Sequence, residues 1–288
     1  MKIEYLITLF FLLAILPVST VAQGVDNKPA NGAGASRLRL SNSDEIGAEF
    51  DSVPCANSDR LNSVKALFER MGAADSEITI EKRKKVENLV IRKTGSQSDS
   101  GKIIIGAHFD KTEKGCGAVD NWSGVVTIAH VYRALREYLL NKTIIFVAFG
   151  DEEKGLNGSR EMSDGIEKNS RQEYCAMINI DSLGMGAVQV ADNLSSRKLV
   201  DLSKSVAADL KIPFNHSNIT GGDADSTSFL NKGVASVTIH GLTNEWPMIL
   251  HTQKDTAAKV NATAVYLGYR LVLEMLMRID SSPCSAFR

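Results

Sequence analysis

The chain has 288 residues, with 33 Lys and Arg against 34 Asp and Glu and a formal net charge of −1. So even a balance carries none of the basic excess that a phosphate backbone selects, which sets nucleic acid aside as a partner. The cysteines Cys55, Cys116, Cys175 and Cys284 could form up to two disulfides in any of three full pairings, and each could equally be a buried thiol.

Lys2, an apolar stretch from Tyr5 to Leu16, Pro17 and the small-residue end Thr20-Val21-Ala22 have the build of a secretory signal peptide. The stretch is too short for a comfortable membrane span, and cleavage is expected after Ala22; Glu4 departs from a purely basic start. Segment 1–22 therefore predicts an exported protein, periplasmic or extracellular, with no membrane attachment once mature. Residues 23–42 are rich in Gly, Asn, Ala and Ser without an apolar period, and read as a flexible mature N-terminus. What remains, 43–288, is roughly 240 residues, a size that α/β domains often reach as a single unit.

Leu61, Val64, Leu67 and Phe68 at helical spacing predict a helix over 57–68, capped by Asn57 or Ser58 and stopped by Gly72. A half-buried strand is expected over 86–93 and a polar turn over 95–101. Continuous apolar runs then occupy 102–107, 143–149 and 175–180. Runs of this length between polar or glycine boundaries read as strands buried on both faces, which belong to parallel sheets covered by helices. Each run ends at chemistry: the first at His108-Phe109-Asp110, the second at Gly150 and then Asp151-Glu152-Glu153, the third at Asp181. Ligand crevices of open α/β sheets lie beyond the carboxyl ends of the strands, so parallel pairing would bring these groups to one edge. Between the first two runs, Asp120-Asn121 opens a helix expected over 122–140, with Val125, Ile128, Ala129, Val131, Tyr132, Leu135 and Leu139 as its apolar face. Further helices are expected over 156–163, 195–210, 226–231 and 262–279, and short strands over 188–190 and 235–239. A loop with Trp246 and Pro247 leads to His251. The fold class is α/β, a mostly parallel mixed sheet sandwiched between helices.

Two carboxylates about 6 Å apart repel by roughly 3 kcal/mol at an effective dielectric of 20, so acids gathered at a strand end need counter-charge. No cluster of Lys or Arg of comparable size lies in these segments. Imidazoles mixed with carboxylates are the set that zinc prefers, whereas an all-oxygen set would indicate magnesium or calcium. Two ions fit if one carboxylate bridges, and the remaining positive charge is offset by a further, non-ligating carboxylate.

The segments Ala107-His108-Phe109-Asp110, Val119-Asp120-Asn121-Trp122-Ser123-Gly124, Gly150-Asp151-Glu152-Glu153-Lys154-Gly155-Leu156-Asn157-Gly158-Ser159, Asn179-Ile180-Asp181, Gly222-Asp223-Ala224-Asp225-Ser226-Thr227-Ser228-Phe229 and Leu250-His251-Thr252-Gln253-Lys254-Asp255-Thr256 resemble, in order, the motifs of the secreted di-zinc aminopeptidases. Bacterial leucyl aminopeptidase is the best-known type of that family. The resemblance implies two zinc ions bridged by Asp120, with His108 and Asp181 completing one and Glu153 and His251 the other. Glu152 would be the general base, and Asp110 would take the imidazole N–H of His108. A non-proline cis bond at Asp120-Asn121 is implied as well. The substrates would be peptides with a free N-terminus, and a monomer is expected.

Other residues have plainer readings. Asp225 is at most a support, and Trp122 and Trp246 wall the pocket or pack in the core. His130 and His216 are structural or exposed, and His240 is more readily a core histidine than a crevice residue. Cys116 fits a disulfide or bystander role better than a ligand, and the sequon Asn121-Trp122-Ser123 is accidental. Alternatives to an aminopeptidase are a glutaminyl cyclase of the same fold, a carboxypeptidase or dipeptidase, and a non-catalytic binding domain.

Overall fold

The computed structural model describes residues 37–97 and 100–288. The expected signal segment and residues 23–36 of the expected flexible piece lie outside the described residues. The described end of that piece lies along a helix and the C-terminal helix: the amides of Arg37 and Arg39 donate to the carbonyls of Glu137 and Ala134, and Ser41 N donates to Tyr269 Oη at 3.1 Å.

The strands are β1 (Ile78–Arg83), β2 (Val86–Lys93), β3 (Lys102–His108), β4 (Thr143–Phe149), β5 (Tyr174–Ile180), β6 (Val188–Ala191), β7 (Phe214–Ser217) and β8 (Ser236–His240). They form one sheet in the order β1-β2-β4-β3-β5-β8-β6-β7. The central strands β4, β3, β5 and β8 are parallel, and β2 and β6 run antiparallel to them on either side. The three long apolar runs of the sequence are thus neighbours, as parallel strands buried on both faces must be.

Alternate residues of these strands feed two cores. Ile103, Ile105, Ile144, Phe146 and Ala148 pack beneath α2 (Asn57–Arg70), α3 (Ser123–Leu135), α5 (Arg197–Leu210) and α7 (Ala262–Asp280), together with the short α1 (Ser43–Ala48). Ile104, Ile145, Val147 and Phe149 face α4 (Asn157–Asp164) and α6 (Asp225–Leu230). Asn42 caps α1 by accepting from Glu45 N at 2.8 Å, while the Glu45 carboxylate returns to Asn42 N.

The expected helix over 122–140 ends at Leu135, and Leu139 is 69% exposed instead of belonging to its apolar face. The chain turns there so that Leu140 is buried and Asn141 and Lys142 reach the far end of α7. The cysteines pair as Cys55–Cys116, beside the loop that carries Asp120, and Cys175–Cys284, which ties β5 to the C-terminal residues. His130 is buried with Nδ1 2.8 Å from Ser41 Oγ, and burial pushes it down to about 4, the state of a neutral core histidine.

At the amino end of β4 the buried Asp280 carboxylate accepts from Lys142 N at 2.7 Å and Asn141 N at 3.1 Å, and Lys142 Nζ donates back to Asp280 O. Removing that carboxylate leaves main-chain donors without partners, at about 1–3 kcal/mol each. Asp280→Ala is therefore expected to lower unfolding stability by about 2–4 kcal/mol, read as a shifted urea midpoint, with metal binding by the folded fraction retained.

Candidate metal centre

His108 closes β3, Glu152 and Glu153 follow the end of β4, and Asp181 follows the end of β5. The register puts His108 opposite Phe149 and Gly106 opposite Asn179, so the three strands finish in step and their polar groups meet at one edge. Asp120 joins them from the turn that precedes α3, and His251 from the loop after β8. The peptide bond Asp120-Asn121 is cis.

Asn121 pins this turn by donating Nδ2 to Ile180 O at 2.8 Å and accepting from Gly124 N at 2.9 Å and Ser182 N at 3.1 Å. Gly124 is needed where it stands, since a Cβ there would lie 2.4 Å from Asn121 Oδ1 and 2.5 Å from Ile180 O. Asp151, Ser182 and His251 all adopt left-handed backbone, with φ of 54°, 57° and 59°. Such torsions cost an L residue about 1–3 kcal/mol and gather where chemistry dictates geometry.

Two groups of side chains bring their polar atoms within 4.8 Å of one another: His108, Glu152 and Asp181, and Asp120, Glu153 and His251. Asp120 faces both, with Oδ1 3.1 Å from His108 Nε2 and Oδ2 3.0 Å from His251 Nε2. Glu153 Oε2 lies 3.2 Å from His251 Nε2, and Asp181 Oδ1 lies 3.6 Å from His108 Nε2. Glu152, cast by the resemblance as the base, stands within the first group at 4.0 Å from the same nitrogen.

The electrostatics are those of crowded acids. Burial pulls the His108 imidazole down, but Glu152, Asp120 and Asp181 outweigh it and hold it well above its ordinary value. Burial acts to raise Asp120, yet the imidazoles of His108 and His251 keep it well below the usual carboxylate range. Hydrogen bonds to Asp120 and Glu153 raise His251 to about 10. Glu152 is pushed up to about 10, first by burial and then by Asp225, Asp181 and Asp120. Glu153 Oε1 is buried with no hydrogen-bond partner. Two imidazole nitrogens, carboxylates aimed at the same points and an orphaned buried oxygen make a donor set that fits divalent cations, with zinc favoured by the mixture of nitrogen and oxygen.

Asp110 behaves differently from expectation. His108 Nδ1 meets the main-chain carbonyl of Asp110 at 3.1 Å, whereas the Asp110 carboxylate is 3.7 Å away. That carboxylate instead accepts from Glu152 N at 2.9 Å and Glu153 N at 3.2 Å, because the end of β3 runs alongside the end of β4, with Phe109 N donating to Phe149 O, and brings it to the amides that follow. The main-chain oxygen thus fixes the tautomer of His108, and the side chain fixes the position of the acid pair.

Trp122 is a core residue rather than a pocket wall: it is 2% exposed, its Nε1 donates to Glu49 O, and Arg60 stacks over its ring. Trp246 does line the cleft, whose volume is about 260 Å³ and whose walls include Leu156, Ile219, Leu242 and Leu250. Asp225 is fully buried behind the centre with both oxygens unpartnered, and burial pushes it up to about 7. His216 is exposed and pairs with Asp192, and His240 is buried and bonded to Ser217.

Two functional neighbours escaped the sequence reading. Asp255 is buried and accepts from Val119 N at 2.7 Å and Asp120 N at 3.2 Å, so it holds the main chain of the central carboxylate. Burial raises Asp255 to about 6. It lies in the quoted segment after His251, and an acid in a loop so close to a candidate ligand was the available signal. Arg60 of α2 is entirely buried and donates to the carbonyls of Phe109, Pro54, Cys116 and Gly117. Burial lowers it to about 10, and Asp110, Asp120, Asp255 and Glu153 oppose that shift. It supplies a cation behind the acids that segment-by-segment counting does not include.

A mixed sheet with this acidic, histidine-bearing edge is the zinc exopeptidase fold, shared with solved structures such as a Zn-dependent exopeptidase from Parabacteroides distasonis (TM-score 0.66, 16% identity, covering 83% of this chain and 99% of that one). The model of peptidase family M28 matches residues 88–276, and the chain belongs to that family. Over 139 residues it is 29% identical to aminopeptidase YwaD of Bacillus subtilis, covering 46% of this chain and 30% of that protein. A glutaminyl cyclase from an Acidobacteriales bacterium superposes with a TM-score of 0.71 at 19% identity, covering 88% of this chain and 98% of that one. The chain spans less than half the length of the curated relatives YwaD and leucine aminopeptidase 2 of Trichophyton equinum.

Two outcomes are expected. Asp255→Ala frees the Asp120 main chain and should weaken zinc binding about 10- to 100-fold, measured by competition with a chelator, while circular dichroism shows the fold retained. The metal-free chain holds a proton on His251 up to about pH 10, and a metal takes only the neutral imidazole. Zinc binding near pH 7 should therefore release protons and tighten as pH rises towards 10, as calorimetry in buffers of different ionisation enthalpy would read.

Proposed function

We propose that this chain is an exported zinc aminopeptidase that removes N-terminal residues from peptides with a two-ion centre. The observation that carries the reading is the paired donor set around Asp120 with Glu152 beside it, at the mouth of a cleft of about 260 Å³. Ligand pockets usually run from about 300 to 1,000 Å³, so this cleft suits one terminal residue better than a length of chain. Among the described residues lining it there is no Lys or Arg, so no side-chain cation is offered to a substrate's α-carboxylate.

His108 and Asp181 would hold one zinc ion, Glu153 and His251 the other, and Asp120 both. Bound there, the ions would supply Lewis acidity to the scissile carbonyl and make water a stronger acid. Glu152 accepts the proton of the attacking water and hands it to the departing nitrogen. The Asp110 carboxylate keeps that base in place through the Glu152 amide, and the acids around the cleft orient the substrate amine. Burial and the neighbouring acids together hold the proton on Glu152 in the metal-free chain, and cations bound among those acids would offset their part and favour the ionised base.

A glutaminyl cyclase is the second reading, favoured by the extent of the structural match to the Acidobacteriales enzyme. Peptides beginning with glutamine separate the two: an aminopeptidase releases free glutamine, and a cyclase yields pyroglutamyl peptide with no free amino acid. Glu152→Gln should bind zinc as the parent does and lose roughly 10²- to 10⁴-fold in kcat on aminoacyl anilides; turnover at the parent rate would remove Glu152 from the role of base.

A further inference from the structure

A second groove of about 630 Å³ lies beside the cleft. The two share Ile219, Leu242 and Trp246 as walls, so the groove adjoins the cleft at those side chains. It is more than twice the size of the cleft, which has about 260 Å³. Along it run β7, the outermost strand of the sheet, and the loop after β8. The outer side of β7 leaves main-chain N–H and C=O groups unpaired among the described residues.

The chemistry of the lining is that of a peptide backbone's partner. Asn215, Asn218 and Asn244 present side-chain amides, each a donor and an acceptor, and all three are exposed. Behind them His240 Nδ1 accepts from Leu242 N at 3.2 Å, which places its proton on Nε2, 3.3 Å from Ser217 Oγ. Ser217 is thereby used as an acceptor and keeps its own proton to donate. Burial pushes His240 down to about 4, so that arrangement holds at neutral pH. Among the described residues no Lys or Arg lines the groove or the cleft, and the exposed His216 of the groove is already engaged by Asp192 at 2.6 Å, so a substrate's α-carboxylate finds no free side-chain cation there.

We infer that the groove holds the leaving side of the substrate, its second and later residues in extended form, and that the preferred substrates are oligopeptides rather than dipeptides. This rests on the aminopeptidase reading and adds the substrate class to it. A dipeptide would bring its carboxylate to the start of a wall of amides with no Lys or Arg to receive it, whereas a longer chain lays neutral main chain there. Recognition through amides and a strand edge is tolerant of side chains and sensitive to length.

The test uses the zinc-loaded full chain and a series with one N-terminal residue: an aminoacyl anilide, a dipeptide, its C-terminal amide, a tetrapeptide and a hexapeptide. The expected result is a kcat/KM at least tenfold higher for the tetrapeptide than for the dipeptide, a plateau thereafter, and a several-fold gain on amidating the dipeptide. The double variant Asn215→Ala/Asn218→Ala, and separately Asn218→Trp to fill the groove, should lower the ratio of tetrapeptide to anilide kcat/KM by about the factor that length confers. Thermal melts report whether each variant is folded. Equal rates for dipeptide and tetrapeptide, or folded variants with an unchanged ratio, overturn the groove assignment while anilide cleavage leaves the aminopeptidase reading standing. Failure to cleave any member of the series overturns both.

Discussion

The centre depends on holding like charges together. Asp120, Glu152, Glu153 and Asp181 converge at one edge of the sheet, and only a rigid surround keeps side chains there that would otherwise turn to solvent. The surround acts on the backbone rather than on the charges. Asp110 grips the amides of Glu152 and Glu153, Asp255 those of Val119 and Asp120, and Asn121 those of Gly124 and Ser182. Arg60 grips carbonyls on the opposite side and adds a buried positive charge. Each acid thus arrives already aimed, and the cost of aiming falls on the core beneath α3 and α7.

What the sequence made legible follows from range. Runs 102–107, 143–149 and 175–180 are apolar on both faces, so their parallel pairing and the convergence of His108, Glu152, Glu153 and Asp181 could be reasoned from local pattern. The short β1, β7 and α1 left little periodic signal: β1 is an edge strand with charged pairs such as Arg92 and Glu81, and β7 has only four residues. Arg60 is one polar position on an amphipathic helix, and its hold on the loops behind the centre runs through carbonyls about fifty residues away. Asp255 meets Asp120 across 135 residues, beyond any window of spacing.

Two differences concern direction more than position. Asp110 sits beside His108 as the motif suggests, yet its carboxylate goes to the amides after β4 and its carbonyl to the imidazole. Trp122 adjoins Asn121 in sequence, but the opening turn of α3 rotates its ring under Arg60 and away from the cleft. Asp151, third of the adjacent acids, serves as the left-handed bend that lets β4 deliver its neighbours, with Lys154 closing over it at 2.8 Å.

The centre takes His108, Glu152, Glu153 and Asp181 from strand ends fixed by the sheet, Asp120 from the turn before α3 and His251 from the loop after β8. The cleft wall takes Ile219 from beyond β7 and Leu242, Trp246 and Leu250 from that same loop after β8. Substitutions at wall positions such as Ile219, Leu242 and Trp246 can reshape what is admitted while leaving every group of the centre in place. Solved structures described as an aminopeptidase and as a glutaminyl cyclase both share this fold, so the sheet by itself does not select the reaction.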